Sequence, residues 1–326
     1  LVAFVVRPPT ESQASKQEPL AVLILGPTGS GKTALSLALA AQFAGEIVSC
    51  DSVAVYRGMD IGSAKPSIEE RTQARHHLID VADPNEAFTA GEYSRQARAA
   101  MREIGERGHM PIVTGGTGLY LRALTLGLMP APARQPELRE RLVLSSERKS
   151  AGWLHRILRR VDPQSAARIH ANDIPKLIRA LEIRFSTGRP LSAAIAADPQ
   201  AGRDPLTGFR LLRIGLNPPR QLLYDRLNER AAGMFRDGLV EETRMLLSEY
   251  GRVPALDALG YRQAMAVLDG ILTEADAISA AQQGHRNYAK RQLTWFRREP
   301  DVNWMEDFGN TPEAIAQAKE LITAAC

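Results

Sequence analysis

The run Leu23-Ile24-Leu25-Gly26-Pro27-Thr28-Gly29-Ser30-Gly31-Lys32-Thr33 leaves this chain few ways to fold. A short apolar stretch leads into a Gly-rich turn, and residues 33–40 follow with helical period. The turn fits G-x-x-x-x-G-K-[ST], and its flanks are the strand and helix that this motif requires. Gly26, Gly29 and Gly31 let backbone N–H groups converge on phosphate oxygens. Lys32 adds a mobile cation, Thr33 a hydroxyl suited to a phosphate-bound Mg²⁺, and the helix brings its positive end to the same point. A Gly-rich surface turn would need neither flank. The loop predicts phosphate binding. It does not say whether the chemistry is nucleotide hydrolysis, phosphoryl transfer or displacement of diphosphate.

Glu46-Ile47-Val48-Ser49-Cys50-Asp51-Ser52 reads as a second strand ending in an acid, and His77-Leu78-Ile79-Asp80-Val81 as a short third. Residues 90–105 have helical period. Met110-Pro111-Ile112-Val113-Thr114 reads as a fourth strand, followed by Gly115-Gly116-Thr117-Gly118 and a helix over 119–126. This alternation predicts a P-loop NTPase-like α/β fold, a doubly wound parallel sheet whose ligands sit beyond the strand C-termini. The phosphate loop, Asp51 and the 115–117 turn all fall at such ends.

Pro130-Ala131-Pro132-Ala133 interrupts the pattern, and from about Gln135 to Ala197 only helical segments follow. Strand character returns at Leu211–Leu216, after a Pro- and Gly-bearing linker at 198–208. The chain therefore reads as a leader (1–19), an α/β core (20–129 and 205–326) with C-terminal helices and a last strand near Val302–Trp304, and an all-helical insertion (130–204). The insertion is basic: from Arg139 to Arg184 there are eleven Lys/Arg against five Asp/Glu. A second cluster, His285, Arg286, Lys290, Arg291, Arg297 and Arg298, falls in one predicted helix with Trp295 and Phe296 interleaved. Charge runs are commonly solvated faces. Two of them on a chain of net charge only +4 point instead to a phosphate backbone.

At 326 residues the chain can bury one large core or two ordinary ones. No apolar run is long enough to span a membrane, so no membrane role is expected. Leu1–Val6 is too short for a signal h-region, and Arg7–Pro19 reads as a disordered leader. Cys50 and Cys326 form no disulfide framework, which fits a reducing cytoplasm. A monomer is expected.

Asp51 has three readings: a carboxylate near Mg²⁺, a general base, or a cap on the turn that follows. Its place beside the phosphate strand favours the first two. Adjacent His76 and His77 sit before a strand and cannot chelate one metal ion from the same strand face; they read as structural or surface. No Cys/His set has zinc spacing. Tyr56, Tyr93 and Tyr120 read as core or rim.

Several blocks together resemble the tRNA dimethylallyltransferase family. They are Gly26–Thr33, Asp51-Ser52-Val53-Ala54-Val55-Tyr56-Arg57-Gly58-Met59-Asp60-Ile61-Gly62-Ser63-Ala64-Lys65-Pro66, and Gly115-Gly116-Thr117-Gly118-Leu119-Tyr120. Asn172-Asp173 with Arg179-Ala180-Leu181-Glu182, then Gly260-Tyr261-Arg262-Gln263, and Lys290–Arg297 complete the set. They run in order from about residue 20 to 305, and the Asp-Ser to Lys-Pro block is specific to this family.

The resemblance implies transfer of the dimethylallyl group of dimethylallyl diphosphate to N6 of the adenosine at position 37, next to the tRNA anticodon. The loop would then hold a leaving diphosphate rather than ATP. It implies Asp51 as the acceptor of the N6 proton, Thr28 near the bridging oxygen, Lys32 and Thr33 on diphosphate and Mg²⁺, and Arg230 as a diphosphate ligand. For tRNA contact it implies Asp51, Ser52, Val53 and Ala54; Thr117 and Arg139; and Pro175, Lys176, Leu177, Ile178 and Arg179. It adds Asp257, Ala258, Leu259, Gly260, Tyr261 and Arg262, then Lys290, Arg291, Gln292, Leu293, Thr294, Trp295, Phe296 and Arg297. Ala54 stands where many members carry Gln.

Three other readings compete. An isopentenyltransferase acting on free adenine nucleotides would need neither the insertion nor the basic helix. A P-loop kinase or NTPase would carry an acid at the end of the strand before Thr114, which is missing. A non-catalytic RNA-binding protein leaves the phosphate loop beside Asp51 without a purpose.

Overall fold

The computed structural model describes residues 18–128, 132, 134–197 and 204–326. Most of the expected leader, of the 130–133 break and of the return linker lies outside these residues. The chain divides into two units, Leu1–Thr125 with Leu206–Cys326, and Leu126–Pro205.

In the larger unit, β1 (Leu20–Leu25) feeds the phosphate loop and α1 (Lys32–Gln42). Then come β2 (Gly45–Ser49), α2 (Ile68–Gln73), β3 (His76–His77), α3 (Ala90–Glu106), β4 (Met110–Thr114) and α4 (Gly118–Leu126). The smaller unit carries α5 (Pro136–Arg148), α6 (Trp153–Val161), α7 (Pro163–Arg168), α8 (Ile174–Thr187) and α9 (Leu191–Ala197). The larger unit resumes with β5 (Arg210–Leu216), α10 (Arg220–Arg236), α11 (Leu239–Tyr250), α12 (Tyr261–Leu268), α13 (Glu274–Phe296), β6 (Val302–Met305) and α14 (Pro312–Ala325).

Among the described residues six strands form one parallel sheet in the order β3-β2-β4-β1-β5-β6. The chain leaves β1 toward one side for β2 and β3 and returns on the other through β5 and β6. The loop after β1 therefore sits at the switch point, where α/β sheets bind ligands. β1 is apolar on both faces because both are covered. Leu23 and Leu25 join Tyr93, Met101, Ile104 and Phe296 on one side; Val22 and Ile24 join Leu35, Leu39, Ala314 and Ile322 on the other. Truncating a fully buried leucine such as Leu23 to Ala costs about 2–5 kcal/mol.

The expected third strand at 77–81 is corrected. It is only His76–His77, so the two histidines are the strand rather than its approach. Leu78 and Asp80 have φ of +63° and +58°, which no ladder tolerates. Asp80 is held in that conformation by Lys65 at 2.6 Å and Arg71 at 2.7 Å.

The smaller unit has its own core of Leu142, Leu154, Leu158, Leu177, Ile178 and Leu181. Glu182, buried on α8, pairs with Arg139 at 3.1 Å and Arg179 at 2.6 Å and accepts from the Gln135 N–H. No helix among the described residues is long and apolar enough to cross a membrane.

Candidate active site

The phosphate loop is shaped by its glycines and by chain far away in sequence. Gly31 precedes α1 at φ +89°, and a Cβ there would lie 2.8 Å from the Gly309 nitrogen. Lys32 folds back, its Nζ donating to the carbonyls of Gly26 at 2.9 Å and Pro27 at 2.7 Å. Burial, then the Arg230 charge, push its pKa down to about 7, against the pull of Asp51. A phosphate anion would replace these carbonyls and hold the lysine charged.

Thr28 is tied at both ends. Its hydroxyl accepts from Arg230 Nη1 at 3.0 Å, and its N–H donates to Gln292 Oε1 at 2.8 Å. Gln292 Nε2 donates in turn to the Gly116 carbonyl at 2.9 Å. One side chain of α13 thus joins the loop after β1 to the loop after β4. The join needs glycine at 116, where a Cβ would lie 2.1 Å from Gln292 Nε2. Arg230 comes from α10, which packs along α13; burial lowers its pKa and Asp51 opposes that shift.

Asp51 lies two residues beyond β2. Its Oδ1 accepts from the N–H groups of Val53 at 2.8 Å and Ala54 at 3.2 Å, so the capping reading is realised by one oxygen. The other has no hydrogen-bond partner among the described residues. Thr117 braces the same turn: its hydroxyl accepts from the Ser52 N–H at 3.0 Å, and its own N–H donates to the Cys50 carbonyl at 3.1 Å.

Two clefts meet at Thr28, Asp51 and Arg230. The first, of about 460 Å³, is lined by Gly29, Lys32, Thr33 and Arg226, and also by Ala34, Ile47, Ala54 and Ile79. It therefore offers both cations and apolar walls. The second, of about 420 Å³, is lined by Ser52, Val53, Leu259, Arg262, His285, Tyr288 and Arg291.

The remaining candidates divide by burial. Arg262 and Arg291 are exposed at the second cleft, with Asp257, Ala258 and Leu259 beside them. Lys290, Leu293, Thr294 and Arg297 line a third cleft with Arg220 and Tyr224. Lys290, Arg291 and Arg297 therefore do not act as one stripe, because α13 sends them to different clefts.

Several side chains expected at tRNA are largely enclosed by protein. Tyr261 and Phe296 are buried in the larger unit, and Leu177 and Ile178 in the core of the smaller one; Ala54 and Gln292 are also buried, but at the wall of the first cleft. The Tyr261 hydroxyl donates to Glu242 at 2.6 Å, and Glu242 also receives the N–H groups of Asp60, Ile61 and Gly62. Tyr261 is thus a brace for the Asp60–Gly62 turn. Gly260 gives its N–H to Gln263 Oε1. Trp295 packs against Gly118, with the Arg122 guanidinium 4.6 Å over its ring. In the smaller unit, Arg139 and Arg179 are held by Glu182, whereas Lys176 is exposed and pairs with Asp173 at 2.5 Å.

Sequence reasoning missed Arg226, Asn310 and Glu242. Arg226 Nη1 donates to Asn310 Oδ1 at 3.0 Å beside the loop carbonyl of Gly29. The signal was available: Arg226 is one helical turn before Arg230 on the same face.

The family described as IPP transferase matches residues 54–299. The chain belongs to the IPP transferase family. A tRNA dimethylallyltransferase of Koribacter versatilis is 58% identical over 94% of this chain and 98% of its own. One of Solibacter usitatus is 53% identical over 92% and 97%. Among solved structures, the tRNA isopentenylpyrophosphate transferase of Bacillus halodurans is similar with a TM-score of 0.67, at 38% identity over 94% of this chain and 96% of that one. A eukaryotic dimethylallyltransferase acting on tRNA is similar with a TM-score of 0.75, at 25% identity over 94% and 80%.

Proposed function

We propose that this protein transfers the dimethylallyl group of dimethylallyl diphosphate to N6 of an adenosine next to the tRNA anticodon, at position 37. The observation that carries this reading is the meeting of the two clefts at Asp51, Thr28 and Arg230. One cleft suits a small amphipathic diphosphate, with cations for the phosphates and Ile47 and Ile79 for a five-carbon tail. The other suits a base that has left its stack, since a stacked base cannot reach a buried donor.

In this reading N6 attacks C1 of the allyl group, the C1–O bond breaks, and diphosphate leaves with the bonding electrons. The N6 proton passes to Asp51. Lys32, Arg230 and the Thr28 hydroxyl lie where negative charge grows on the leaving group, so they stabilise the transition state more than the ground state. Capping of Oδ1 by two N–H groups holds the carboxylate in one orientation and leaves the other oxygen to take the proton.

The residues fit Mg²⁺ held chiefly by substrate. No set of three His, Cys, Asp or Glu could cage a metal among the described residues, but the Thr33 hydroxyl lines the phosphate cleft. Bound there with phosphate oxygens, Mg²⁺ would supply charge neutralisation. The exposed cations Arg262, Arg291 and Lys176 would engage the RNA backbone.

The test is incubation with tRNA and labelled dimethylallyl diphosphate in the absence of nucleoside triphosphate. Label on adenosine, with diphosphate released and competing against the donor, is the expected result. An absolute requirement for ATP would return the kinase reading to first place.

A further inference from the structure

Along α13, His285, Tyr288 and Gln292 are spaced three and four residues apart, so all three face the site. The lowest is clamped: Gln292 bonds both Thr28 and Gly116. The middle phenol faces Thr117 and feels the charge of Asp51. The uppermost, His285, is 7% exposed and lines the second cleft, yet neither of its ring nitrogens has a hydrogen-bond partner among the described residues. Burying a polar ring without partners is costly, and native structures satisfy such groups with water or ligand. Beside it the wall is tight: at the preceding residue a Cβ on Gly284 would lie 2.4 Å from Leu259 Cδ1, so helix and loop are in close contact there.

The chemistry of the missing partner can be narrowed. Burial, then the charge of Arg230, lower the His285 pKa to about 4, so the ring is neutral near neutral pH. A neutral imidazole offers one N–H donor and one lone-pair acceptor. It gives a phosphate no charge, and a hydrocarbon tail would leave both nitrogens unsatisfied. A nucleobase edge, which carries donors and acceptors without charge, matches it.

We propose that His285 is a specificity-determining residue for the acceptor, hydrogen-bonding a ring nitrogen of the adenine presented to Asp51. This rests on the transferase reading above and assigns the second cleft to the base rather than to the donor tail.

The experiment uses the full chain with anticodon stem-loops bearing adenosine or its 1-deaza, 3-deaza or 7-deaza analogue at the acceptor position. Wild type, His285→Phe, His285→Asn and His285→Gln are compared in single turnovers, with diphosphate affinity as the check that the site is folded. His285→Phe is expected to lower kcat/KM for the adenosine stem-loop about tenfold, the scale of one net hydrogen bond. Diphosphate affinity should stay within about twofold. Asn or Gln, which return an amide near one or other ring nitrogen, should recover part of the loss. One deaza analogue, the one that lacks the bonded ring nitrogen, should be penalised less in His285→Phe than in wild type. Equal discrimination by wild type and His285→Phe, or a loss seen only in donor affinity, overturns the assignment. Failure of wild type to modify the adenosine stem-loop would instead sink the transferase reading itself.

Discussion

The strand β2 carries a buried acid at one end and leads to a cleft-lining acid at the other, and the two are treated differently. Glu46, near its start, is ringed by partners: His77 at 2.7 Å, Arg107 at 2.8 Å and His109 at 2.7 Å. Burial alone would raise its pKa, but these hydrogen bonds outweigh it and bring the carboxyl down to about 2. Beyond the other end, Asp51 is capped on one oxygen only, and Lys32 and Arg230 nearby are lowered in pKa by burial rather than neutralised by acids. The first cluster is complete without a ligand and serves the fold. The second is left open, with its cations turned on backbone carbonyls and a hydroxyl. Charge satisfaction, more than charge itself, separates structural from functional groups here.

The contrast can be broken most directly by Asp51→Ala. Loss of a general base costs about 10²–10⁴-fold in rate; Tm and tRNA affinity should change little. Near-normal turnover would remove Asp51 from the mechanism. The reciprocal change, Glu46→Gln, should leave single-turnover rates intact and cost about 3 kcal/mol of stability. The sign follows from a folded pKa below the ordinary 4.5. This stability is fully present above about pH 4.5 and is lost as pH falls toward 2, so denaturation curves of wild type and variant should converge in acid. Lys32 gives a smaller effect. Its pKa lies near 7 in the open loop and rises when a diphosphate binds. Donor binding should therefore take up a proton above pH 7, and affinity should fall by up to about tenfold per pH unit there. Calorimetry at pH 8 in buffers of different ionisation enthalpy reads this directly, and zero uptake would contradict it. The smallest effect separates the clefts. Arg291→Gln, and Lys290→Gln with Arg297→Gln, should each flatten the salt dependence of tRNA binding by roughly one unit per lost phosphate contact. Diphosphate affinity should not change in either. An unchanged slope in a folded variant would make that face a solvated one.

What was legible in the chain was what local pattern carries. The phosphate loop, β4 over residues 110–114, the return of strand at β5 and the all-helical stretch before it each announce themselves in a short window. β3 did not, because left-handed residues at Leu78 and Asp80 end it, and Asp80 is held by ion pairs to Lys65 and Arg71, contacts that its apolar pattern does not show. At the candidate site, Asp51, Thr28 and Arg230 were named through motif and resemblance, and the fold brings the three to one junction of clefts. The cations of α13 were visible as charge, but not which cleft each would reach. Gln292 entered only through the resemblance, as a tRNA contact, and Glu242 drew no reading, since period alone does not say whether a polar side chain meets water or a buried backbone group.

The hydrogen bond from Thr28 to Gln292 spans 264 residues of chain. During synthesis the phosphate-loop sequence leaves the ribosome early, but the side chains that complete its shape, Arg230 and then Gln292, come much later. A nascent chain halted before α13 would carry the motif without the pocket. Its loop would lack the tether that orients Thr28, and its second cleft would lack one wall. Translation thus delays the completion of this loop until α13 has been made.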